Sequence, residues 1–140
     1  MTELITPERL ASSGTEIGHQ KALFCWARNP RIQSQYPDLY WLFAIPNGAI
    51  RHKAVALELK ASGVKRGVSD MCLLVRRGNY PCLWIELKLP KRSDGRAATN
   101  ANPEQNAFGL HAKSQGHAWA VAKGWEAARD IIIQYLEWKD

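Results

Sequence analysis

Cysteine is scarce in this chain and shows no pattern. Cys25, Cys72 and Cys82 are odd in number and have no Cys-x-x-Cys spacing, which argues against a disulfide scaffold or a thiolate zinc site. They read as small apolar core residues in a reducing compartment. His19, His52, His111 and His117 likewise lack zinc-ligand spacing and read as surface or core histidines. No apolar run approaches membrane length, and residues 1–7 hold no basic segment followed by an apolar one. A soluble, intracellular, cytoplasmic protein is therefore expected. Repeats, a domain linker and an organic-cofactor motif are all missing. The six tryptophans are scattered singly, so most belong to a core and none forms a base-stacking platform.

Basic residues outnumber acidic ones, 19 to 13, for a formal charge of +6 and a pI near 9.4. That balance favours a polyanionic partner, although proteins that bind nothing can share it. The 140 residues suit one core. Residues 1–12 read as a lead, either poorly ordered or a short helical turn, and residues 13–140 as a single domain.

Local signals divide that domain. Ser12 or Ser13 could cap a helix over about 14–29, ended by Asn29-Pro30. Residues 39–45 are apolar and aromatic and are cut off by Pro46-Asn47-Gly48, which predicts a buried strand and a turn. A helix runs on to about Ser62, and the basic glycine loop 63–67 feeds a strand beginning near Asp70. Residues 76–81 make a tight connection to a second strand ending at Lys88, so the two form an antiparallel hairpin. The polar segment 90–101 is expected to be mobile. Asn102-Pro103 marks a helix start, a cap followed by proline at the first helical position. That helix ends near Gly116, a strand covers 117–122, and a last helix spans about 125–138. The order α-β-α-β-β-α-β-α implies an α/β fold with a mixed sheet of about four strands and helices on both faces.

The chemistry concentrates on the two hairpin strands. Both are apolar runs, yet they carry Asp70, Glu86 and Lys88, which buried strands normally avoid. Residues two apart on a strand point the same way, so Glu86 and Lys88 share one cleft, and Asp70 on the neighbouring strand adds a second carboxylate. Two carboxylates and a lysine, without His or Cys, suit a hard divalent cation acting on phosphate. Glu-x-Lys alone is weak. Glu58-Leu59-Lys60 and Glu137-Trp138-Lys139 repeat it in helical settings, where positions i and i+2 diverge by about 200°. The bland alternative for Glu86 and Lys88 is a surface ion pair at a strand end.

Four segments in order carry a resemblance: Ile45-Pro46-Asn47-Gly48, Gly63-Val64-Lys65-Arg66-Gly67-Val68-Ser69-Asp70, Ile85-Glu86-Leu87-Lys88 and Pro103-Glu104-Gln105. Together they resemble the virus-type replication-repair nuclease (VRR-NUC) family of the PD-(D/E)xK superfamily, over nearly the whole chain from about Glu16. Ser69 departs from the pattern, because proline usually precedes the catalytic aspartate. The resemblance implies a restriction-endonuclease-like core and a Mg²⁺- or Mn²⁺-dependent deoxyribonuclease. Stand-alone phage-type members are homodimers that cut branched DNA, four-way junctions included, which would place the protein in a bacterial or phage-infected cell. By the same resemblance Asp70 and Glu86 would hold the metal, joined by the Leu87 backbone carbonyl. Lys88 would orient or deprotonate the attacking water and offset phosphate charge, and the electrostatic role is the simpler one for a protonated lysine.

Gln105 matches a family glutamine near the site, and its other reading is a helix-start residue. Glu16, sharing a helix face with Gln20, would bind metal through water or steer Lys88, unless it belongs to a solvated face. Arg51, Lys53, Lys65, Arg66, Lys91, Arg92 and Arg96 lie in or beside loops bordering the site and are candidate phosphate contacts, each set against ordinary solvated surface. Asn47 would be structural or near the phosphate, and Arg76-Arg77 could be only a hairpin tip. Three consecutive isoleucines, 131–133, cover most of the last helix, so either neighbouring elements wrap it or one face of it meets a second subunit. Two rivals remain: a catalytically silent DNA-binding module of this fold, and a sequence-specific restriction-type endonuclease.

Overall fold

The computed structural model describes residues 4–46 and 53–139. Thr6 caps helix α1 (Pro7–Ala11), and the Thr15 hydroxyl accepts from Gly18 N–H to start α2 (Glu16–Ala27). The expected first helix is therefore real, with Thr15 as its cap in place of Ser12 or Ser13. Asn29 caps a further helix, α3 (Pro30–Gln35), so Asn29-Pro30 begins a helix as well as ending one. A 3₁₀ turn over Pro37–Trp41 leads into β1 (Leu42–Ala44). Then follow α4 (Lys53–Ala61), β2 (Met71–Leu73), β3 (Leu83–Lys88), α5 (Pro103–Ser114), β4 (Ala118–Lys123) and α6 (Trp125–Leu136). The expected order stands, with the short α1 and α3 added.

The four strands form one sheet in the order β1-β2-β3-β4, antiparallel except for β3 beside β4. Such a mixed sheet flanked by helices is a restriction-endonuclease-like architecture. The β2–β3 hairpin pairs Met71 with Ile85 and Leu73 with Leu83. Alternation along β3 sends Leu83, Ile85 and Leu87 into a core with Leu23 and Trp26 of α2 and Ala128 and Ile132 of α6. Trp84, Glu86 and Lys88 take the opposite face, where the Trp84 ring meets Phe108 of α5 edge-on with 5.2 Å between ring centroids. Gly109 of α5 lies against the Trp119 ring, where a Cβ would sit 2.1 Å from a ring carbon. Glycine is thus what lets α5 approach β4 so closely.

Two expectations change. Residues 39–45 do not form one buried strand, since β1 is a short edge strand and Phe43 is 42% exposed. Pro37 favours the first turn of a helix, and that turn takes the front of the segment. Segment 90–101 is tied rather than loose: Leu89 N–H donates to Thr99 Oγ1 at 2.7 Å, Thr99 N–H to Leu89 O at 3.0 Å, and Arg92 N–H to Arg96 O at 2.9 Å. On α6, Ile132 is buried and Ile131 and Ile133 pack partly buried against the core. Neighbouring elements wrap most of this helix, with Ile131 and Ile133 each left partly accessible. Leu10 and Ala11 of α1 also pack partly buried against the core.

Candidate active site

Asp70 precedes β2, and its backbone oxygen accepts from Ile45 N–H at 2.8 Å, which carries the β1–β2 pairing one step further. Its side chain crosses to the next strand, where Oδ2 accepts from Leu87 N–H at 2.6 Å. This bond fixes Asp70 beside Glu86 and Lys88. Ser69 is fully buried, and its hydroxyl accepts from the Trp119 indole N–H at 3.1 Å. The departure from proline is thereby built into the sheet–helix packing one residue before Asp70.

Glu86 is 1% exposed and Lys88 8%. The Lys88 ammonium lies 3.8 Å from Glu86 Oε1 and 3.8 Å from Glu16 Oε2, so the start of α2 contributes the third carboxylate. Glu86 Oε2 is buried without a hydrogen-bond partner. Burial first, and then the Asp70 charge, push the Glu86 carboxyl up from an ordinary 4.5 to about 8, against the lowering pull of Lys88. Burial also raises Asp70, against the lowering effects of the Leu87 hydrogen bond and Lys88, and it raises Glu16. Three carboxylates facing one ammonium thus leave the cleft short of positive charge.

Oxygen donors and an orphaned buried carboxylate oxygen fit a hard divalent cation. Among the described residues, no group of three or more His, Cys, Asp and Glu side chains is placed to hold a metal ion. Mg²⁺ does not need one, because it is bound through one or two carboxylates and keeps several waters. Asp70, Glu86 and the Leu87 carbonyl are the groups that could hold it.

The other candidates divide. Gln105 sits in a capping box: its Oε1 accepts from Asn102 N–H at 2.8 Å, while Asn102 Oδ1 accepts from Gln105 N–H at 2.9 Å. Its helix-start role is therefore real, and its Nε2 hydrogens are not used by the box. Lys53, Lys65 and Arg66 are exposed. The loop bearing the last two is held against α5, since at Gly67, with φ +88°, a Cβ would lie 2.6 Å from the Glu104 carbonyl oxygen. Lys91 and Arg96 are exposed, whereas Arg92 is half-buried with its guanidinium over Gly14. Asp94 pairs with Arg92 at 3.2 Å and lies 3.8 Å from Arg96, which offsets part of the charge of this segment. Arg51 and Asn47 lie outside the described residues.

Two features escaped sequence reasoning. His19 Nδ1 accepts from Trp125 N–H at 3.0 Å and so caps α6, whose N-cap Gly124 has no side chain to do it. Burial lowers the His19 pKa, which keeps that nitrogen an acceptor. Lys123 pairs with Lys88 across the β3–β4 ladder. Neither was visible without knowing which strands and helices meet.

The sheet, its flanking helices and the Asp70/Glu86-x-Lys88 cluster define a nuclease-type domain of the restriction-endonuclease-like class. The chain superposes on a solved structure described as a "VRR_NUC domain protein" with a TM-score of 0.72 and 25% identity, over 90% of this chain and 91% of that one. This likeness agrees with the resemblance to the VRR-NUC family that the four motifs carry in order. No family model and no curated protein matches it. Among the described residues, no helix is long and apolar enough to cross a membrane.

Proposed function

We propose that this protein is a Mg²⁺- or Mn²⁺-dependent DNA endonuclease that hydrolyses phosphodiesters, selects branched DNA such as four-way junctions and works as a homodimer. The observation that carries the reading is Glu86, a fully buried carboxylate with one oxygen unpartnered beside a second carboxylate and a lysine. An uncompensated carboxylate inside a fold costs stability, so a function that supplies a cation explains its presence. The cation, when bound, polarises a phosphoryl oxygen and acidifies water.

The chain's own residues do the rest. The Leu87 N–H engages Asp70 Oδ2 and holds that carboxyl beside Glu86. Lys88, between Glu16 and Glu86, is positioned to donate to an incoming water or to a phosphate oxygen. Glu16 acts as a positioning residue, holding the ammonium toward the mouth of the cleft. The exposed Lys53, Lys65, Arg66, Lys91 and Arg96 supply phosphate contacts around it. Branched-DNA selectivity and the dimer rest on the family resemblance.

The test is a cleavage assay on linear, flapped, fork and four-way DNA, with and without Mn²⁺. Metal-dependent cutting that is fastest on the four-way junction is expected. Binding without cutting in every metal would instead identify a silent DNA-binding module.

A further inference from the structure

Resting on that nuclease reading, we propose that Lys123 is a phosphate-binding residue of the site, gripping the phosphodiester next to the one cleaved. In a parallel ladder, directly paired residues project to the same face from strands about 4.8 Å apart. Lys88 and Lys123 are such a pair, at the ends of β3 and β4, and the ladder continues past them through Gly124 N–H to Lys88 O at 2.8 Å. Lys123 therefore stands on the Glu86 face, one strand over from the site lysine. The two differ in surroundings: Lys88 is buried between carboxylates, while Lys123 is exposed at the rim.

The Lys123 ammonium donates to Asn100 Oδ1 at 2.8 Å. An ammonium has three hydrogens, and a neutral amide oxygen uses one of them without offsetting the charge. Asn100 sits next to Thr99, whose two bonds to Leu89 close the base of the 90–101 loop. The ammonium is thus aimed by a fixed partner and keeps donors for an anion. A phosphate lying on Lys88 would have its neighbour along the same DNA strand within reach of this second cation. The two lysines would then hold the backbone at successive phosphates, setting the register of the scissile bond.

The alternative is that the Lys123–Asn100 bond only latches the loop. Lys123→Ala, Lys123→Arg and Asn100→Ala separate the two roles. Affinity for a fluorescent four-way junction is measured in Ca²⁺, which supports binding without cutting, across a series of KCl concentrations. Phosphate binding predicts that Lys123→Ala weakens binding about 5- to 10-fold near 0.1 M salt and lowers the slope of log affinity against log salt by about 1. Lys123→Arg should restore both, and Asn100→Ala should stay within about threefold of the parent. Equal losses in Lys123→Ala and Asn100→Ala with an unchanged slope would overturn the assignment and leave a latch. If the parent protein binds no DNA at all, the nuclease reading itself falls, and this assignment with it.

Discussion

At the scale of single residues, the unusual feature is a carboxylate that the fold alone would be better without. Asp70→Asn and Glu86→Gln keep side-chain shape and remove charge. Each should lower metal-dependent cleavage by at least about 100-fold while far-ultraviolet circular dichroism stays the same. Unchanged turnover in a preparation free of parent enzyme would reject the site. A second consequence concerns stability without metal. The Glu86 carboxyl rises from 4.5 in the unfolded chain to about 8 in the fold. The folded state therefore holds more protons than the unfolded one between those values, and stability falls as pH rises through that window. Metal-free Glu86→Gln escapes this loss, so its melting temperature should exceed the parent's by several degrees at pH 8 and approach it at pH 5. Melting curves at both pH values in EDTA check this, and a variant less stable at pH 8 would refute it. Asp70, Glu86 and Lys88 were legible in the sequence because ionisable groups in apolar strands stand out. The Leu87 N–H that fixes Asp70 was not, since a backbone donor leaves no mark in residue type.

At the scale of elements, dipeptides with proline show both how far local signals reach and where they stop. Asn102-Pro103 and Asn29-Pro30 carry the same instruction, a capping side chain followed by proline with its fixed φ, and both open helices. Only the first was read that way, because a longer helix preceded the second and made the proline look like a terminator. At the α5 start Gln105 caps the helix, and the family resemblance would give it a second role at the site, which a pair of substitutions tests. Gln105→Glu keeps an acceptor for the capping box and removes the amide donors, so the melting temperature should hold within about 2 °C while cleavage falls at least about tenfold. Gln105→Ala should lose both, with roughly 0.5–1 kcal/mol of stability gone with the cap. Full cleavage by Gln105→Glu would return the residue to capping alone. The strand expected over 39–45 failed for a comparable reason. Aromatic and β-branched residues fit a strand or any half-buried surface, and only the neighbouring strand decides which residues are paired.

At the scale of the whole molecule, two properties follow from how charge and apolar surface are distributed. The three isoleucines of α6 pack against the core, Ile131 and Ile133 only in part, whereas Tyr40, Trp41 and Phe43 are exposed at the β1 edge of the sheet. The homodimer reading then predicts about twice the 15.8 kDa chain mass by light scattering at micromolar concentration. A clean monomer that still makes paired cuts in a four-way junction would refute both the dimer and the mechanism that needs its dyad. Charge makes the sharper demand. The net +6 draws a polyanion toward the surface, but the cleft it must enter presents Glu16, Asp70 and Glu86 to one lysine. Long-range attraction and local repulsion oppose each other, and the local term dominates at contact because burial weakens screening. A divalent cation that supports binding but not cleavage should reverse the local sign. DNA affinity at fixed ionic strength should therefore rise about tenfold or more when Ca²⁺ replaces EDTA, and this gain should shrink in Glu86→Gln, which lacks the carboxylate that would hold the cation. Affinity in the parent protein that ignores Ca²⁺ would mean the DNA backbone never reaches the carboxylates, and the cleft would have to be given another purpose.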